Sequence, residues 1–283
     1  RIKNLLINDK ENAFLSLELF TLQYDKQNLT LKDIEFKESD WQLGLPLFQK
    51  LEFKQFIKDL NLKEEKQQDL FANHKPLHEL YDFRCVTTEE QLSELANQLK
   101  SVKEFAIDTE TTGLDPMKNK CIGLSVAYKE GLSFYVPFGH ETGEDQLSLE
   151  MVQRYLNPIF EDTNIHKILH HAAFDYIALQ QSGMELKGID FDTLVAASLI
   201  NKPWEKKGLK ELSTAHFDEV MIAFSQTMKT HKVKTFAGVP LQDATNYAAA
   251  DAHQTLKLKA VFEKKLKEIE FNLYSINHQN KNK

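Results

Sequence analysis

The spacing of apolar residues along this chain changes near residue 81. Before that point it is helical but sparse: Leu5, Leu6, Phe14, Leu15, Leu17, Leu19 and Leu22 crowd into residues 1–24, and Leu47, Phe48, Leu51, Phe53, Phe56 and Ile57 build a second helical pattern over 45–60. A polar, acidic interval at 25–40 separates the two. Residues 61–75, rich in Lys, Glu, Gln and Asn and without apolar periodicity, read as a linker leading into Pro76. After residue 81 strand-like and helix-like runs alternate. Residues 83–86 predict a short strand. Thr87-Thr88-Glu89-Glu90 predicts a helix start, with Thr as N-cap and acids in the first turn. Residues 103–109, 121–128 and 132–138 predict three strands with turn-like connections at Gly113-Leu114-Asp115-Pro116 and Lys129-Glu130-Gly131, hence an antiparallel meander. A helix over 148–162, a strand over 167–170 and a helix over 172–181 closed by Ser182-Gly183 follow. Further helices are expected from Phe191-Asp192-Thr193, over 209–216 and over 241–266. The order predicts an α/β domain with a mixed sheet flanked by helices, preceded by a small helical N-terminal segment.

Composition narrows this picture without redirecting it. A chain of 283 residues suggests about two units, and 42% hydrophobic with 27% charged residues is an ordinary globular balance. No run of about 18 apolar residues predicts a membrane span, and no charged-then-apolar leader is seen. The two cysteines, Cys85 and Cys121, lack metal or redox spacing, which fits a reducing cytoplasm. A net charge of −7 excludes a generic basic nucleic-acid binder, though not an enzyme that meets phosphate locally through metals. Two lysine groups, Lys202, Lys206, Lys207 and Lys210, and Lys229, Lys232 and Lys234 with His231, read first as solvated faces.

Candidate chemistry lies in three places. In Phe105-Ala106-Ile107-Asp108-Thr109-Glu110 an apolar strand ends in two carboxylates one residue apart, which strand alternation sends to the same side, where a hard divalent cation suits them. Phe174-Asp175 opens a helix, and Tyr247 and Asp251, four apart in a helical stretch, share one face. Each has a bland reading alone: strand-end acids, a first-turn helix acid, a packing tyrosine, a solvated helix acid. Four acids and a tyrosine arriving in this order are not explained that way.

Asp108-Thr109-Glu110, Phe174-Asp175 and Tyr247-x-x-x-Asp251 resemble the three motifs of the DEDDy 3′–5′ exonucleases. Phe105 to Asp115, Asp192-Thr193-Leu194 with Leu199-Ile200-Asn201, and Gly208-Leu209-Lys210-Glu211-Leu212 are similar specifically to the proofreading domain of bacterial family A DNA polymerase I. The resemblance spans about residues 81–265. Asn8 to Ala13, Leu15-Ser16 and Leu51-Glu52-Phe53 more weakly resemble the tail of that polymerase's 5′-nuclease domain. The expected layout is therefore a nuclease-like tail over 1–60, a linker over 61–80, the exonuclease domain over 81–265, and the start of a thumb or a polar tail over 266–283.

This resemblance implies a ribonuclease-H-like sheet and hydrolysis assisted by two divalent ions, Mg²⁺ or Mn²⁺, one activating water and the other stabilising the departing 3′-oxyanion. By resemblance Asp108 bridges the ions, Glu110 and Asp251 complete the first, Asp175 serves the second, and Tyr247 orients the attacking water. Leu114 corresponds to an apolar wedge beside the terminal base, with Phe224 as its stacking partner; both equally suit core positions. His171 and Ala173 stand where the family usually has Asn and often a basic residue, so contacts to the substrate strand differ there. The implied partners are a single-stranded DNA 3′ end and the polymerase domain of a parent chain, in a monomeric cytoplasmic protein. Two alternatives stay open: a ribonuclease D-like enzyme, for which the 2′-OH is the discriminating group, and a catalytically silent module of a polymerase.

Overall fold

The computed structural model describes residues 10–21, 44–51, 53, 75–202 and 205–280. The chain divides into two units, Arg1–Glu65 and Lys66–Lys283. In the first, α1 (Lys10–Phe20) and α2 (Leu45–Lys50) realise part of the two expected helical patterns. The rest of those patterns, and residues 61–74 of the linker expected over 61–80, lie outside the described residues, while Leu77–Leu80 of that linker form a short helix. On α1 the side chains of Phe14, Leu15, Leu17, Leu19 and Phe20 are all exposed.

The second unit carries a six-stranded mixed sheet. After α3 (Leu77–Leu80) come β1 (Asp82–Cys85), α4 (Glu89–Ser101), β2 (Glu104–Thr111), β3 (Cys121–Lys129), β4 (Leu132–Pro137), α5 (Leu149–Phe160), β5 (His166–Leu169) and α6 (Ala172–Gln181). Then follow β6 (Ile189–Asp192), α7 (Thr193–Ile200), α8 (Leu209–Phe217), α9 (Phe224–His231), a 3₁₀ turn at Phe236–Gly238 and α10 (Leu241–Asn280). The strand order is β1-β4-β3-β2-β5-β6. β2, β3 and β4 pair antiparallel, as the meander predicts, while β1 joins β4, and β5 and β6 extend from β2, all in parallel.

Alternation along the strands sorts the two faces. Phe105, Ile107, Leu124, Val126, Phe134 and Val136 point to one side and pack with Leu92, Leu95 and Leu99 of α4 and Val152, Leu156 and Ile159 of α5. Ala106, Ala127 and Ile168 point to the other and meet Ala252 of α10. Ala244, Ala248 and Ala252, each fully buried, repeat every four residues along α10 and let it lie close on the sheet. The start of α4 shows the expected cap: the Thr88 hydroxyl accepts from the Gln91 N–H, and the Gln91 side chain accepts from the Thr88 N–H, closing a capping box.

Three elements differ from expectation. β6 occupies residues read only as a helix start; four residues are too few to show a strand period. α9 is polar and short, and no apolar stripe announces it. α10 continues past residue 266 to Asn280, through residues expected to start a thumb or form a polar tail. A polar clamp ties α3, the loop after α8 and α10 together. Glu219 accepts hydrogen bonds from Tyr81 Oη, from Lys257 Nζ at 2.6 Å and from Gln254 Nε2 at 2.6 Å. Burial pushes the Glu219 carboxyl up, but the bonds from Lys257, Tyr81 and Gln254 outweigh it and hold it below the usual range. Glu219→Ala strands the buried Lys257 ammonium and is expected to cost about 3 kcal/mol. Denaturant melts should show that loss, and should show Lys257→Met in the same chain recovering part of it.

Candidate active site

β2 organises the site. Asp108 and Glu110 project from its α10 side, and the residues opposite them on β3 are Ser125 and Gly123. A Cβ at Gly123 would come within 2.2 Å of Tyr135 Oη, so glycine is required there. The acids lie within the strand instead of ending it, since β2 runs on to Thr111 after a register shift at Glu110/Thr111. From the helix above, Tyr247 and Asp251 face them. Ligand oxygens of Asp108, Glu110 and Asp251 lie within 4.8 Å of one another. Among the described residues this is the one such group of three potential ligands.

Asp175 lies in the first turn of α6, as expected, and is tied to β2 as well. Its Oδ1 accepts from the Thr109 backbone N–H at 3.0 Å and from Thr109 Oγ1 at 2.6 Å. The middle residue of Asp108-Thr109-Glu110 thus pins the second motif to the first. His171 is the N-cap of α6, and its φ of 74° puts a non-glycine residue in the left-handed region. Its side chain makes no cap; instead Asp192 accepts from the N–H groups of His171 and Ala172 at 3.2 and 2.8 Å. The same carboxylate caps α7 through Leu194 and Val195.

These residues converge on a cleft of about 380 Å³ that Leu114, His171, Phe224 and Lys234 also line. Leu114 is 91% exposed, so it is not a core residue. Phe224 is partly exposed, stacked 6.1 Å from Phe236 and edge-on 6.2 Å from Tyr247. His171 is exposed and stacks on Phe174, and Ala173 is exposed beside it. His170 turns inward: its Nδ1 meets Thr193 Oγ1 at 2.8 Å, and burial pushes its imidazole down to about 4. All eight residues singled out in the sequence line this cleft. Sequence reasoning passed over Thr109, Asp192 and Lys210. Lys210 sat inside a lysine run with no sign that it alone would turn toward Asp251, 3.5 Å from Oδ1. Thr109 carried a signal, the hydroxyl between two acids, that alternation allowed to be read as facing away.

Electrostatically the cluster is under strain. Burial, with the charges of Asp175, Asp251 and Glu110, holds the Asp108 carboxyl well above the usual carboxylate range. Burial and Asp251 do the same to Glu110. Burial raises Asp251 too, against the pull of Lys210. Asp175 is pushed up to about 7 by burial despite its two bonds from Thr109. Glu110 Oε1 and Asp251 Oδ1 are buried without hydrogen-bond partners. Clustered hard oxygen donors with idle lone pairs fit a hard divalent cation such as Mg²⁺ or Mn²⁺, and no thiolate or imidazole joins the set.

The 3′–5′ exonuclease family model of A-type DNA polymerases matches residues 83–267. The chain belongs to this exonuclease family. Among the family's relatives, DNA polymerase I of Borreliella burgdorferi is 33% identical over 94% of the chain, and that of Chloroflexus aurantiacus is 30% identical over 94%. The chain spans only 30% and 31% of those proteins. Among solved structures, Escherichia coli RNase D, an exoribonuclease involved in structured RNA processing, aligns with a TM-score of 0.52 at 16% identity, over 66% of this chain and 46% of that one. That likeness shows the fold: a ribonuclease-H-like mixed sheet flanked by helices. Among the described residues no helix is long and apolar enough to cross a membrane.

Because the carboxyl groups are raised in the folded state, protonation favours folding here. The favourable contribution is complete below about pH 4, the unfolded value, and is lost as pH rises through the raised folded values, which for Asp175 is about 7. Glu110→Gln in EDTA is therefore expected to melt a few degrees above the parent at pH 8, about 1 kcal/mol, and to show no gain at pH 4.5. A gain independent of pH would contradict the repulsion.

Proposed function

We propose that this chain is the proofreading exonuclease portion of a cytoplasmic DNA polymerase I, hydrolysing the 3′-terminal phosphodiester of single-stranded or frayed DNA and releasing nucleoside 5′-monophosphates. The observation that carries this reading is the convergence of Asp108, Glu110 and Asp251 on one open cleft with Tyr247 beside them. Two divalent ions, Mg²⁺ or Mn²⁺, would supply phosphate neutralisation and a nucleophile near neutral pH. Asp108, Glu110 and Asp251 would hold these ions, and Asp175, its Oδ1 committed to Thr109, would offer its remaining oxygen.

Tyr247 contributes as a neutral donor. Burial, with the charges of Asp251, Glu110 and Asp108, raises its phenol well above the ordinary range, so it keeps its proton and can orient the attacking water. Phe236, 5.2 Å away, and Phe224 fix its ring. Exposed Leu114 and half-exposed Phe224 suit a terminal base between them, since base stacking on apolar and aromatic surfaces tolerates any sequence. His171 takes the strand-contacting place of the family's Asn. The remaining partner is the polymerase domain of the longer chain, working with this portion as a monomer. The likeness to RNase D favours a second reading, an exoribonuclease on the same acids.

Incubation of matched 3′-labelled DNA and RNA strands with Mg²⁺ separates the two. DNA should be shortened from the 3′ end to 5′-monophosphates; preference for RNA selects the second reading, and products bearing 3′-phosphates or cleavage that survives EDTA would sink both. Within the first reading, Asp108→Ala should lose more than a hundredfold in rate with the fold intact by thermal melt, as metal assistance contributes several kcal/mol. Tyr247→Phe should slow single-turnover hydrolysis about 10–100-fold, the value of one hydrogen bond to a charged partner. An unchanged single-turnover rate would remove the tyrosine from the chemistry.

A further inference from the structure

Four lysines cluster in sequence at 202, 206, 207 and 210, and one behaves unlike a surface lysine. Lys206 reaches outward to Glu211 with its side chain 75% exposed, whereas that of Lys210 is 30% exposed. Lys210 occupies the first turn of α8, where neighbouring Leu209 and Leu212 pack with α10 residues and fix its origin beside Tyr247 and Asp251. Its ammonium lies 4.1 Å from the centroid of the Tyr247 ring and 3.5 Å from Asp251 Oδ1. Lys210 Nζ is buried yet makes no hydrogen bond, and Asp251 Oδ1 accepts none. An ammonium with three idle donors, held by a ring face and a carboxylate at ion-pair range, is a loosely bound counter-charge.

We propose that Lys210 is the resident counter-ion of the metal-free acid cluster, and that its ammonium is displaced from Asp251 when that carboxylate becomes a metal ligand. The inference rests on the reading of Asp251 as a ligand. The ammonium, 3.5 Å from Asp251 Oδ1, repels any cation placed among the acids. The partly exposed four-carbon stem gives the charge a route to water while the backbone of α8 stays put. Lys210 is thus a positioning residue: it steadies Asp251 and Tyr247 in the empty site, and it sets the metal concentration at which that site fills.

Acetic anhydride labelling of the unaltered chain, read by mass spectrometry with and without saturating Mn²⁺, tests the displacement. Modification of Lys210 should rise several-fold with Mn²⁺ while that of exposed Lys206 stays level; a Lys210 signal that is unchanged or lower overturns the proposal. Direct Mn²⁺ binding, followed by the electron paramagnetic resonance of the free ion at pH 8, supplies a second readout. Lys210→Met should bind about tenfold more tightly, because a like charge within a few ångströms of a divalent ion costs about that much even with water-like screening. Equal or weaker binding by a folded variant counts against the proposal. Asp251→Asn with undiminished Mn²⁺ affinity would remove the ligand reading itself, an outcome distinct from a silent Lys210.

Discussion

Carboxylates that repel one another, and that burial pushes toward the protonated form, are nevertheless held within one cluster, and the surrounding fold answers that repulsion. β2 delivers Asp108 and Glu110 on one side because its side chains alternate, and β3 presents Ser125 and Gly123 opposite them, with the Tyr135 ring filling the space a side chain at Gly123 would need. α10 can bring Asp251 down onto the same spot because the residues it lays on the sheet are alanines. Thr109 fixes Asp175 through both its backbone and its hydroxyl, so the fourth acid is oriented before any ion arrives. Of these contacts only the bonds from Thr109 offset charge, and they do so for Asp175 alone. Together the contacts prevent the side chains from turning away from the repulsion, which makes ion binding and folding stability one coupled quantity.

The sheet separates two duties. One face is a conventional apolar core with α4 and α5 and supplies most of the burial. The other is thin, small and polar near the acids, and is braced at a distance by the Glu219–Lys257–Tyr81 clamp and by the Phe236 cluster under Tyr247. Such a division tolerates an unfavourable site, because its electrostatic cost is small beside what the opposite face contributes.

Much of this was legible in the sequence because the decisive features are periodic. The period of two in residues 104–110 placed Asp108 and Glu110 together, and the four-residue step placed Tyr247 with Asp251. The meander, the Thr88 cap and the start of α6 followed from turn and capping chemistry. What was not legible is either too short to show a period, as in β6, or settled by tertiary neighbours alone. Nothing local distinguishes Lys210 from Lys206; the packing of α8 on α10 does. The bond from Thr109 to Asp175 joins residues 66 apart, and the double capping by Asp192 needs two helix starts that only the folded sheet brings side by side.

The register of β2 carries a consequence for heredity. The strand is hydrogen-bonded on both edges, antiparallel to β3 and parallel to β5. A single residue gained or lost upstream of Asp108 within it would turn both acids to the apolar face, a change no compensating substitution nearby could undo. Point replacements can drift through this strand, but its length cannot. Insertions and deletions are tolerable only in the loops that flank the site, where they leave both acids in register.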